Sequence, residues 1–180
     1  MPVTRYVALL RGINVGRAKR IAMADLRQLM GALGHGEVRT LLNSGNVVFS
    51  AGPLKPADAA AEIEEALVLK LGVAARVTVL TQAELETVMA ENSLLPMATD
   101  QSRLMAFVLS NPQDRAGLEL LAGRKWVPEA LALGQRAAYA WCPEGVLESR
   151  LVVALGKQLG DATTARNWNT MCKLATLCAA

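Results

Sequence analysis

"EVRTLLNSGNVVFS", residues 37–50, is the stretch whose reading decides the fold. Its two ends, "EVRTLLN" and "NVVFS", are strand-like. The "SG" between them is a two-residue hairpin signal. Upstream, "MADLRQLMGAL" (23–33) sets Leu26, Leu29, Met30 and Leu33 at i, i+3, i+4 and i+7, which is one stripe of a helix. Gly34 and Gly36 then supply its stop. Further upstream, "VTRYVALL" (3–10) reads as a strand, mostly buried. Downstream, "PADAAAEIEEALVLKLG" (56–72) is a helix with Pro56 near its start and Gly72 after its end. "ARVTVL" (75–80) alternates as a strand does. The order is β-α-β-β-α-β, that of the ferredoxin-like unit.

The second half repeats the pattern. A helix, "QAELETVMAE", is followed by the breaker-rich "NSLLPMATDQ" (92–101), which reads as a boundary. "RLMAFVLS" (103–110) is a strand and "PQDRAGLELLAG" (112–123) a helix. Pro128 leaves 125–133 ambiguous. "RAAYAWC" (136–142) is a strand, "PEGVLESRLVVALGKQLG" (143–160) contains a helix, and "RNWNTMCKLATL" (166–177) is a further helix. The expected class is therefore α+β, with two ferredoxin-like halves in tandem at residues 1–92 and 103–180. The second is expected to be partial, with a C-terminal helix packing back toward the first half.

Composition narrows the setting. The 180 residues are 52% hydrophobic, so a buried core is expected. No apolar run has the roughly 18–20 residues that span a bilayer. "MPVTRYVALLRG", interrupted by Arg5 and Arg11, is too short for a signal peptide. A cytoplasmic location without membrane contact follows as the expectation. Cys142, Cys172 and Cys178 form no C-x-x-C pair, and the one histidine is His35. Metal-site spacing is absent, and the three cysteines read as small buried side chains. No cofactor is implied. Nothing in the sequence indicates a homo-oligomer, although none is excluded.

Charge is unevenly placed. Residues 1–24 hold Arg5, Arg11, Arg17, Lys19 and Arg20 and no acid; residues 162–180 hold Arg166 and Lys173 and no acid. An acid-free region attracts anions. "RGINVG" (11–16) is neither a P-loop nor a dinucleotide-binding turn. Its glycines, Gly12 and Gly16, allow a tight backbone with exposed N–H groups. Asn14 adds an amide, Arg11 a guanidinium, and the following helix aims its N-terminus back at the loop. "NSGN" (43–46) offers Asn43, Ser44 and Asn46, or serves only as a turn. In "TTARNWNTMCK" (163–173), a helical reading puts Arg166, Asn169, Thr170 and Lys173 on a polar face, with Asn167 beside them and Thr163 or Thr164 as N-cap. His35, between two glycines, reads as an exposed loop residue. An RNA-recognition reading is weak, because the outward positions of the third strand are Asn46 and Val48, and only Tyr6 could stack.

"RYVALLRGINVG", "MADLRQLMGALG", "VRTLLNSGNVVFS" and "TARNWNTMCKL" together resemble the bacterial family catalogued as domain of unknown function 1697. The resemblance runs from near residue 4 to near residue 177. It implies two ferredoxin-like halves, and it implies no activity, substrate, cofactor or catalytic residue. "GRAKR" departs from it by being richer in arginine than the family's glycine- and lysine-containing version.

Three functions stay open from the sequence. One is binding of a phosphate-bearing or other anionic ligand, a nucleotide or nucleic acid, at walls formed by "RGINVG", "NSGN" and "RNWNT". Another is an enzyme acting on a small anionic metabolite, with asparagine and arginine as electrostatic stabilisers. The third is an interaction module whose motifs only brace loops.

Overall fold

The computed structural model describes residues 2–180. The chain divides into two units, residues 2–85 with Leu174–Ala180, and Glu86–Lys173.

In the first unit, β1 (Thr4–Leu10), β2 (Gly36–Leu41), β3 (Asn46–Ala51) and β4 (Val77–Thr81) form one sheet in the order β2-β3-β1-β4. Every pairing is antiparallel. Helices α1 (Met23–Ala32) and α2 (Pro56–Leu71) are the two crossovers. Tyr6, Ala8 and Leu10 of β1, Val47 and Phe49 of β3, and Val77 and Val79 of β4 share a core with Leu26, Leu29 and Met30 of α1 and Ile63 and Leu67 of α2. These are the i, i+2 positions of strands and the stripes of helices, so both helices lie on one face. The opposite face, with Val7, Leu9, Val48 and Leu80, is buried too, which is why "YVALL" runs apolar without alternation.

Local chemistry sets the boundaries. α1 ends in a Schellman motif: the Gly34 N–H bonds the Gly31 carbonyl at 3.0 Å, and the His35 N–H bonds that of Met30 at 3.2 Å. Gly34, at φ +89°, supplies the left-handed turn. Helix α3 (Gln82–Ala90) starts with a capping box. Thr81 Oγ1 accepts from the Glu84 N–H at 3.1 Å and Glu84 Oε1 from the Thr81 N–H at 3.3 Å.

The second unit has β5 (Leu104–Leu109), β6 (Ala130–Leu133), β7 (Ala137–Trp141) and β8 (Thr163–Asn167), in the order β6-β7-β5-β8. This is the same order as the first sheet, again antiparallel throughout. The first crossover is a 3₁₀ turn, Pro112–Leu118, running into the short α4 (Glu119–Ala122); the second is α5 (Arg150–Leu159). Leu151, Leu155 and Leu159 of α5 pack on Phe107, Leu109, Ala138 and Ala140. The last helix is α6 (Trp168–Ala179).

Four expectations are corrected here. The second unit is not partial: β8 completes it, and β6 (Ala130–Leu133) forms at the end of the ambiguous stretch 125–133. Residues 163–167 are strand rather than helix. Thr163 therefore caps nothing: its hydroxyl donates to the Val108 carbonyl at 2.9 Å. The hairpin turn is not the two residues "SG". Leu41 pairs with Asn46, so the loop is the four residues 42–45. His35 is half-buried, its ring 4.6 Å from that of Phe49. The Schellman turn folds it back onto the sheet.

Candidate functional site

"RGINVGRAKR" forms a miniature hairpin of its own. Val15 and Ala18 make an antiparallel bridge, and the Asn14 N–H bonds the Lys19 carbonyl at 3.0 Å. Gly16, at φ +63°, is the first of the two residues at the tip. A positive φ there is the mark of a type II′ turn, which glycine adopts without penalty. Asn14 itself sits at φ +55°. Its side chain holds the hairpin to its surroundings. Nδ2 donates to the Ile21 carbonyl at 2.9 Å and the Asn43 carbonyl at 2.7 Å, and Oδ1 accepts from the Ile21 N–H at 2.8 Å. Arg20 Nη1 reaches the carbonyls of Asn14 (3.2 Å) and Gly16 (3.3 Å).

The neighbouring loop is fixed to the same place. The Leu10 N–H bonds the Gly45 carbonyl at 2.9 Å, and the Arg11 N–H bonds that of Arg76 at 2.9 Å. The ends of β1 and the starts of β3 and β4 therefore share one edge of the unit. Between the two loops lies a pocket of about 300 Å³ lined by Asn14, Arg20, Ile21, Ala22 and Asn43. Ala22 is the N-cap of α1 and provides no side-chain hydrogen bond to the first turn. Arg17, Lys19 and Arg20 are exposed around the hairpin, as are Gly12, Gly16, Asn43 and Ser44. Among the described residues, Arg17 and Lys19 form no ion pair. Arg76 does, with Glu64 at 3.7 Å.

None of the five lining residues is a nucleophile or a group that exchanges protons near neutral pH. The pocket offers a fixed positive charge and an uncapped helix end, both of which favour an anion.

The sequence-predicted site residues fall into two sets. Arg11, Gly12, Asn14, Gly16, Asn43 and Ser44 come together at this edge. Asn46 does not reach it: it is fully buried, and Nδ2 donates to the Leu41 carbonyl (2.7 Å) and to Ser44 Oγ (2.9 Å). Its role is to close the hairpin loop. Asn14 faces the pocket but uses both amide hydrogens within the protein.

The "RNWNT" residues belong to the second unit and have work there. Arg166 lies on β8 opposite Ala106, not in the first turn of a helix. It is 9% exposed, and Nη1 donates to the Ala165 carbonyl at 2.9 Å. Burial lowers its pKa to about 10. Asn167 is the cap of α6, its Oδ1 accepting from the Thr170 N–H at 2.9 Å. Asn169 and Lys173 are exposed on α6.

Sequence reasoning counted Arg20 among the basic residues around the loop without placing it in the site, and it missed the pocket residues Ile21 and Ala22. It also missed a polar network in the second unit. Ser149 Oγ accepts from the Val152 N–H at 3.0 Å, and the Cys142 thiol donates to it at 3.5 Å. The Ser149 hydroxyl in turn donates to Glu129, whose Oε1 accepts from the Leu151 N–H at 3.3 Å. Burial pushes the Cys142 thiol up to about 11, so it stays protonated. The network caps α5.

The fold is similar to that of a conserved bacterial protein from Streptococcus pneumoniae. That similarity has a TM-score of 0.79 at 24% identity and covers 98% of this chain and 99% of the other. No curated protein matches the chain. The family model described as "Protein of unknown function (DUF1697)" matches residues 3–139, well over half of the sequence, and the chain belongs to that family.

Proposed function

We propose that this protein binds a phosphate-bearing or other anionic ligand at the edge of its first unit, between the 11–20 hairpin and the 42–45 loop. The observation that carries this reading is the pocket of about 300 Å³ bordered by Arg20 and by Ile21 and Ala22, the two residues that lead into α1. Around it stand Arg17 and Lys19, exposed and without an ion-pair partner among the described residues. A guanidinium and an uncapped helix N-terminus both favour negative charge, and their effects add. Residues 1–24 hold no acid, and the first one, Asp25, lies in the first turn of α1. Binding without catalysis is preferred to an enzyme because the lining has no acid, base or nucleophile. The reading suits a bacterial cytoplasmic protein, for which nucleotides and nucleic acids are the abundant carriers of phosphate. Among the described residues no helix is long and apolar enough to cross a membrane.

The test is a two-dimensional amide NMR titration of the full chain with inorganic pyrophosphate. Shifts should concentrate at Arg20, Met23, Ala24 and Asn43. Shifts confined to other residues, or none at millimolar pyrophosphate, overturn the proposal.

A further inference from the structure

We infer that the ligand of this edge is double-stranded nucleic acid, gripped by its phosphate backbone without reading its sequence. This rests on the anion-binding reading above and goes further by naming the ligand.

The distribution of charge is the first argument. A site for a small phosphorylated metabolite gathers several donors into one concavity. Here Arg20 is the single cation lining the pocket. Arg17 and Lys19 stand outside it, at the tip and on the return arm of the hairpin, both exposed. The Asn14 amide hydrogens, which would be the pocket's best neutral donors, are both held by backbone carbonyls. Three exposed cations thus sit within residues 17–20 of one hairpin, here called the finger, with one shallow recess beside it. Cations that stand mostly outside the recess match a polyanion, which carries charge along its length, better than they match one compact anion.

The finger is also stiff. The Val15–Ala18 bridge, the Asn14–Lys19 backbone bond and the two Arg20 bonds fix its backbone. A hairpin of this kind presents its cations without a large ordering cost.

The choice of duplex over single strand follows from aromatic side chains. Proteins that bind single strands stack bases on exposed rings. Tyr6 is 2% exposed and stacked on Phe49 at 5.4 Å, and Phe49 is fully buried. The finger itself, residues 11–20, contains no aromatic residue. What it offers is charge alone, which grips the phosphates of any sequence.

Fluorescence anisotropy of labelled duplexes tests this. Two unrelated sequences of about 20 base pairs should bind the full chain equally. With Arg17, Lys19 and Arg20 each neutralising one phosphate, the slope of log K against log salt should be about −2.7, so affinity should fall about 40-fold between roughly 50 and 200 mM salt. The double variant Arg17→Gln/Lys19→Gln should retain the wild-type melting temperature, because both side chains are in solvent. Its slope should fall to about −0.9, leaving only about a 3.5-fold loss over the same range. Tighter binding of a single strand than of its duplex, a preference for one sequence, or a slope unchanged in the double variant would each overturn the inference. If pyrophosphate moves the pocket amides while no duplex binds, this inference fails and the anion reading stands. If neither binds, both fail.

Discussion

Gly45 should be irreplaceable for a reason that can be separated into two parts. It sits at φ +89°, and a Cβ built there would lie 2.8 Å from Leu10 Cβ and 2.9 Å from Ile13 Cδ1. The backbone part costs an L-residue about 1–2 kcal/mol. The contact part is overpacking, about 1–3 kcal/mol. It belongs at the upper end because Leu10 is fully buried and its own N–H is bonded to the Gly45 carbonyl. Gly45→Ala should therefore lose about 3 kcal/mol, which for a chain of this size lowers Tm by about 6–12 °C. Gly45→Val should lose more. Gly34 is the matched control: its φ is also +89°, but nothing lies within 4 Å of its added Cβ. Gly34→Ala should show the backbone part alone, about 1–2 kcal/mol. Calorimetry on the three proteins decides it. If Gly45→Ala melts with Gly34→Ala, the close approach is not what holds Gly45. If both melt with wild type, the backbone argument fails as well.

Other outcomes follow from single groups. Arg5 donates to the Cys178 carbonyl at 2.8 Å and also to that of Ala180. Arg5→Ala should cost about 1–2 kcal/mol and speed amide exchange in residues 174–179; unchanged exchange there would contradict it. Burial holds His35 below the ordinary histidine pKa despite the opposing pull of Glu62, and its Nε2 is buried without a partner. Such a histidine takes up its proton more readily when unfolded, so stability should fall as pH drops below about 6.5. In His35→Phe the urea midpoint should lose less between neutral pH and pH 5.5 than it does in wild type, and an identical loss would refute the assignment. Cys142, buried and protonated, should resist alkylation by iodoacetamide at pH 8 in the native protein, while the half-exposed Cys172 is modified first. Peptide mass mapping of the labelled protein reads the order.

Much of the fold was legible because its elements obey simple periods. The α1 stripe at Leu26, Leu29, Met30 and Leu33 and the Pro56 and Gly72 brackets of α2 are local facts, and the structure follows them. β8 was not legible. "TTARN" has no apolar alternation, and Thr-Thr ahead of an amphipathic run looks like a helix cap. What makes it a strand is a partner far away: Thr163 to Asn167 pair with Leu109 to Met105 of β5. Pairing across more than fifty residues overrides local propensity. The hairpin loop failed for a related reason. "SG" is a sound two-residue turn, yet the loop is four residues long with Leu42 at φ +60°, a conformation that no rule would assign to leucine.

The candidate site divides along a different line. Sequence supplies donors and charges, but whether a polar group faces a ligand or the protein depends on what else it meets. Asn14, Asn43 and Asn46 look equivalent in a string: amides beside glycines, in loops. Folding separates them. Asn46 is buried and closes its hairpin, and Asn14 gives both amide hydrogens to carbonyls. Asn43 contributes a carbonyl to that bracing and leaves its side chain at the exposed rim. An amide costs free energy when buried unpaired, so loops recruit neighbouring amides to satisfy one another. Arg17 and Lys19 carry less of that ambiguity, because they are exposed to water and burial would be expensive, whereas Arg20 also braces the hairpin through the Asn14 and Gly16 carbonyls. For this reason "GRAKR" says more about what the loop presents to solvent than its asparagines do. If Asn14→Ala weakened anion binding while leaving Tm unchanged, that ordering would be reversed.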